Sequence, residues 1–166
     1  MLHNIEQLQK KFGKIFNFID FGNVNKWFDK DNKNFDGTIL KENEKLIVDI
    51  NKLANFTKTF SKHARFYYGL DPENKGSIHI IAKARKHFNK TVAKPLQNIK
   101  HYLMGDEDST RKINHDSKGK FIYIPKCNFD VEICIDAVRF INKYNTFCLF
   151  SSDADFVYLL NFLKKK

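Results

Sequence analysis

The side chains with most chemistry to offer in this sequence are carboxylates placed just after apolar runs. Asp20 closes KIFNFID (residues 14–20), and Asp153 and Asp155 stand two apart in SSDADF (residues 151–156), which follows directly on TFCLF (residues 146–150). Asp130 opens DVEICIDA (residues 130–137), a few residues after FIYIP (residues 121–125). Carboxylates brought close together repel, which costs free energy unless cations offset it. Hard oxygen ligands suit Mg²⁺ or Mn²⁺, ions that orient water, lower its pKa and stabilise charge on a phosphodiester. Each aspartate alone has a plainer role. Asp20 suits a turn, and Asp130, Asp153 and Asp155 suit helix caps, as do Ser151 and Ser152. Asp136 lies mid-helix, at the surface or behind a site. Convergence, more than any one residue, favours chemistry.

The elements that must position these groups follow from hydrophobic patterning. Residues 14–20 read as a buried strand ending at a turn, and residues 29–45 as a polar loop or helix start. Leu46, Ile50, Leu53, Phe56 or Thr57, and Phe60 share one face of a helix over residues 46–62. Residues 64–70 form a second strand, and residues 71–76 a turn. Ser77 caps a helix to Phe88. Residues 91–103, interrupted by Pro95, read as a short strand and then a helix. Residues 105–120 are an exposed loop, and 121–125 a strand. A helix runs from Asp130 to Tyr144, a strand over residues 146–152, and a last helix from Asp153 to Leu163. Strands alternate with helices and lack two-residue periodicity. That predicts an open parallel sheet covered by helices on both faces, with the ligand site at the carboxyl ends of its strands. No domain boundary is visible, so residues 1–166 read as a single domain.

The formal net charge is +10 and the pI about 9.4. A basic chain favours anionic partners, above all nucleic acid or an anionic membrane surface, against the plainer reading of a lysine-rich solvated surface. Lysine far outnumbers arginine, which favours contacts to phosphate backbone over base readout. Cys127, Cys134 and Cys148 form no CxxC pair, so a disulfide scaffold or structural zinc site is not expected. Cys148 reads as core, and Cys127 lacks a general-base partner. The N-terminus has no apolar signal core, and no apolar run approaches the ~20 residues that span a bilayer. The expected location is cytoplasmic, with no membrane partner. The histidines show no HExxH spacing, and neither a Walker-type loop nor GxGxxG occurs.

IDFGNV (residues 19–24), DVEICIDA (residues 130–137) and SSDADF (residues 151–156) resemble, in order and spacing, the NYN domains, in particular the LabA/DUF88-like branch of the PIN-like nucleases. The resemblance spans about residues 14–163. It implies a PIN-like three-layer α/β/α sandwich around a mostly parallel sheet of four to five strands. It also implies a Mg²⁺- or Mn²⁺-dependent nuclease, usually acting on RNA, single-stranded or structured. Asp20, Asp130, Asp153 and Asp155 would then be the catalytic, metal-binding acids. Asp136 would bind the ion directly or through another ligand. Asn23, Ser151, Ser152 and Lys126 would meet the substrate, with Asn23 orienting either its loop or a phosphate. The family commonly carries a lysine and a glycine just before the central aspartate. Here Lys126 lies one position further away and the glycine is absent. The family also usually continues into another strand after the last helix, whereas this chain stops at Lys166. Either the sheet is shorter, or another segment or chain completes it, and an exposed edge would promote a homodimer.

Lys26, Lys75 and Lys126 are candidate phosphate contacts. Tyr67 and Tyr68 could stack on bases, though packing is the plainer role for each. Two other readings stay open. One is a module that binds RNA or protein without cleaving, since fold does not fix function. The other is a phosphotransferase or phosphatase with an aspartate nucleophile, weakened because Gly22 breaks a DxD pattern at the first strand.

Overall fold

The computed structural model describes residues 2–104 and 109–166. Helix α1 (Leu2–Phe12) precedes β1 (Ile15–Asp20), whose residues are all buried. The short helix α2 (Phe21–Val24) follows at once. A long irregular stretch leads to α3 (Ile50–Lys58), then β2 (His63–Leu70), α4 (Lys75–His87) and β3 (Lys90–Pro95). β4 (Gln97–Tyr102), β5 (Asn114–Asp116) and β6 (Gly119–Lys126) come next. α5 (Asp130–Phe140), β7 (Thr146–Phe150), a 3₁₀ turn (Ala154–Phe156) and α6 (Val157–Leu163) complete the order.

Four strands form a parallel sheet in the order β3-β2-β1-β7. β1 is internal and packs apolar side chains on both faces, with Asn17 the one buried polar residue before Asp20. Ile19 packs with α3 and α4 residues such as Leu53, Ala54 and Ala84. Phe16 and Phe18 pack on the other side with Ile133 and Ala137 of α5 and Leu159 of α6. The result is an α/β/α sandwich. From β1 the chain moves to β2 and β3 over the first face, then returns beneath the second face to β7 on the other flank. The strand order thus reverses about β1, the point where open α/β sheets hold ligands.

The structure corrects several sequence expectations. FIYIP is the middle of β6, which lies in a separate antiparallel sheet, β4-β6-β5, and not in the parallel one. Residues 97–102 are a strand, not a helix. Their backbone pairs with β6, and such tertiary pairing overrides weak local preference. Part of the expected loop over residues 105–120 is β5, while residues 105–108 lie outside the described residues. The helix expected from residue 46 begins at Ile50, because the Asp49 carboxylate accepts from Lys52 N at 2.9 Å and caps it. Asn74, not Ser77, caps α4. The Ser77 hydroxyl instead accepts from Asp71 N and donates to Gly69 O, tying the helix to the end of β2. α5 stops at Phe140, four residues before the expected Tyr144.

Gly69, near the end of β2, lies against Leu96, just before β4, and Cys127, just after β6. A Cβ there would run into Leu96 and come within 2.8 Å of Cys127 Cβ. Gly69→Ala is expected to destabilise the fold by about 1–3 kcal/mol through overpacking, read as a lower urea midpoint with an unchanged m-value.

Candidate active site

The carboxyl ends of β1 and β7 lie side by side, since Ile19 pairs with Phe150. Their two following loops are bonded together. Asp20, buried at the end of β1, accepts at Oδ2 from Asn23 Nδ2 (2.5 Å) and from Ser151 Oγ (2.9 Å). Ser152 Oγ donates to Asn23 Oδ1 at 3.4 Å. Asn23, Ser151 and Ser152, expected at the substrate, are therefore engaged in fixing Asp20 and its loop. Ser151 Oγ also accepts from Asp153 N at 3.2 Å.

Asp153 caps the 3₁₀ turn, its Oδ1 accepting from Asp155 N at 3.0 Å. Asp130 is the first residue of α5, and its carboxylate caps nothing, in contrast to the plainer expectation. Asn128 holds it from both sides, donating from Nδ2 to Asp130 Oδ2 (2.7 Å) and accepting from Asp130 N (2.8 Å). Asn128 was not singled out from sequence, although an Asn two residues before a helix-opening Asp is a local pattern that makes such bonds.

These elements bring Asp130, Asp153 and Asp155 together: each offers a carboxylate oxygen, and those oxygens lie within 4.8 Å of one another. Asp20 is not in that tight group but lines the same cleft, of about 420 Å³. Burial, then the like charges of Asp153, Asp20 and Asp155, pushes the Asp130 carboxyl above its usual range, with the Asn128 bond opposing. Repulsion of this kind is what a divalent cation relieves. Oxygen-only donors on one rim fit Mg²⁺ or Mn²⁺ better than a softer ion.

The cleft continues past the acids to Tyr68, Asp71, Asn74 and Ser77, and Lys26 and Lys126 stand in its wall. Lys75 does not line it. Tyr67 is fully buried and donates its hydroxyl to Asp136 Oδ2 at 2.7 Å, so it has no free face for a base. Burial and that bond push the Tyr67 hydroxyl pKa up.

Asp136 does not join the acidic group. Its buried carboxylate is paired with Arg65, accepts from Tyr67 and lies 3.6 Å from Arg139. It lines a different hollow, between β3 and α5. The reason is helical geometry: six residues turn a helix by about 240° and advance it about 9 Å, so Asp130 and Asp136 cannot share a face.

Fold and cleft together define a PIN-like α/β protein with an acidic centre at the carboxyl edge of its sheet. The family model of the NYN domain matches residues 14–166, nearly the whole chain. The chain belongs to the NYN domain family, within the PIN-like nuclease superfamily, whose members are generally nuclease-like. No curated protein and no solved structure matches the chain. Among the described residues, no helix is long and apolar enough to cross a membrane.

Proposed function

We propose that this NYN domain is a metal-dependent ribonuclease that hydrolyses RNA phosphodiester bonds. The observation that carries the reading is the approach of Asp130, Asp153 and Asp155 to within 4.8 Å, from two segments distant in sequence. Asp20 lines the same cleft. Asp130, Asp153 and Asp155 would hold Mg²⁺ or Mn²⁺, with Asp20 at the wall of the site. When bound, such an ion supplies charge stabilisation at phosphorus and a lowered pKa for water. Asn23 and Ser151 fix the Asp20 carboxylate, and Asn128 fixes that of Asp130, so the acids are set in place before substrate arrives. Lys26 and Lys126 are the cations placed to meet backbone phosphate at the rim. Phosphate contacts position without reading bases, so cleavage is expected to be weakly sequence-selective.

The test is cleavage of end-labelled RNA with Mn²⁺ or with EDTA, comparing the parent with Asp20→Asn and Asp153→Asn. Ion-dependent cleavage that falls at least about a hundredfold in both variants is expected. Cleavage unchanged in both would remove these aspartates from the mechanism. RNA binding by a parent that cleaves nothing would make the domain a binding module. In the same assay Lys126→Ala is expected to raise KM several-fold with little change in kcat, because a phosphate contact made before and during the reaction acts on binding.

A further inference from the structure

The second sheet, β4-β6-β5, has no counterpart in the acidic centre's construction. Its strands pack chiefly on one another, and none of its residues enters either hydrophobic core cluster. It is an arm rooted beside the cleft, since Pro125 and Lys126 at the end of β6 line that cleft.

Directly opposed residues of an antiparallel ladder share a face. Lys100 opposes Tyr123, Tyr102 opposes Phe121, Asn98 opposes Pro125 and Asp116 opposes Gly119. One face of the arm therefore carries Tyr102, Phe121, Tyr123 and Pro125, with Lys100 and Asp116 beside them. Phe121 is covered: Tyr102 and Tyr123 lie against it with centroids at 5.8 and 5.4 Å, and Lys100 Nζ sits 3.9 Å over its ring. Asp116 is held by Lys100 and by the Tyr102 hydroxyl. Tyr123 is different. It is 46% exposed, and among the described residues Phe121 is the one aromatic ring it lies against. It stands between that covered ring and Pro125 in the cleft wall, and alternate residues of a strand lie about 7 Å apart.

Charge points the same way. Among the arm's described residues the cations are Lys100, Arg111, Lys112, Lys118, Lys120 and Lys126, and the only acid is Asp116, already neutralised by Lys100. The acids Asp106, Glu107 and Asp108 lie outside the described residues. By the same register Lys120 and Lys126 lie on the face of β6 opposite Tyr123. An exposed ring on a basic arm, on a strand that runs into an acidic cleft, matches how unpaired nucleotides are held: bases stack on aromatic faces and lysines follow the backbone.

We propose that the arm is a guide for single-stranded RNA, with Tyr123 stacking on the base next to the nucleotide in the cleft. The inference rests on the ribonuclease reading for what the cleft does, but the arm's binding can be measured apart from cleavage. Fluorescence anisotropy of a labelled single strand of about ten nucleotides, in EDTA, reads binding alone. Tyr123→Ala is expected to weaken binding about tenfold, and Tyr123→Phe to bind as the parent, because stacking needs the ring and not the hydroxyl. A blunt duplex of the same sequence should compete about tenfold less well than the single strand, since its bases are already stacked. In a Trp27→Phe background, the indole introduced by Tyr123→Trp should be quenched by the single strand, a signal that a purely structural role for the ring would not produce. Unchanged binding by Tyr123→Ala, equal competition by duplex, no quenching, or no binding by the parent would each overturn the proposal. Tyr123-dependent binding by a parent that does not cleave would instead overturn the nuclease reading and leave the arm's role standing.

Discussion

Asp130→Asn is expected to make the metal-free protein more stable while lowering Mn²⁺-dependent RNA cleavage at least about a hundredfold. The two effects share one cause. Burial and the charges of Asp153, Asp20 and Asp155 hold the Asp130 carboxyl above its ordinary pKa. A carboxyl whose pKa is raised by folding binds its proton more tightly in the native state. Its penalty is therefore present in full above the raised pKa, shrinks as pH falls through it, and is gone below the unfolded value. An amide carries no charge at any of these pH values, so the variant escapes the penalty. The gain is read as a higher Tm for the variant than for the parent in EDTA. The same amide is a poor ligand for a hard cation, so activity is lost. Thermal melts in EDTA and in Mn²⁺ should cross over: the parent gains more from the ion than the variant does. A variant no more stable than the parent in EDTA, yet fully active, would show that Asp130 is neither crowded nor a ligand.

Asp136 should behave in the opposite way, although it lies in the same motif. Its carboxylate is 7% exposed and is paired with Arg65, itself 17% exposed, while also accepting from the Tyr67 hydroxyl. The Arg65 guanidinium also lies over the Phe140 ring at 4.6 Å. Asp136→Ala leaves a nearly buried cation without its partner and a buried hydroxyl without its acceptor. Removing one member of such a pair costs about 3–5 kcal/mol, and the nearby Arg139 offers no replacement because it too is cationic. The expected fall in Tm is roughly 6–20 °C. Tyr67→Phe removes one hydrogen bond and should cost only about 1 kcal/mol. At a temperature where the variant stays folded, Mn²⁺ affinity measured by calorimetry should match the parent's. A stable Asp136→Ala protein that has lost the ion would instead place Asp136 at the metal centre.

The contrast between these two aspartates shows what could be read from the sequence. Asp20, Asp153 and Asp155 were legible because each follows an apolar run, and strand order then brings such positions to one edge. Asp130 was legible at the head of a helix, although the strand thought to deliver it, FIYIP, belongs to another sheet. Asp136 was grouped with Asp130 through the resemblance of DVEICIDA to the family's central motif, while helical rotation separates them. Its partners, Arg65 and Tyr67, come from β2, about seventy residues away, and no local pattern records that pairing. The arm stayed hidden for a similar reason. Residues 97–102 and 114–116 become strands through pairing with β6, and a strand's choice of partner is a long-range property. Asn23, Ser151 and Ser152 were found as polar groups near the site, but that they bond one another and Asp20 follows only once β7 is seen beside β1.

The most direct test is anomalous diffraction from crystals soaked in Mn²⁺. A single strong peak between the carboxylates of Asp130, Asp153 and Asp155 is expected, disappearing in Asp153→Asn crystals treated alike. A peak only at the Arg65–Asp136 hollow, or no peak in the cleft at an ion concentration that supports cleavage, would contradict the account.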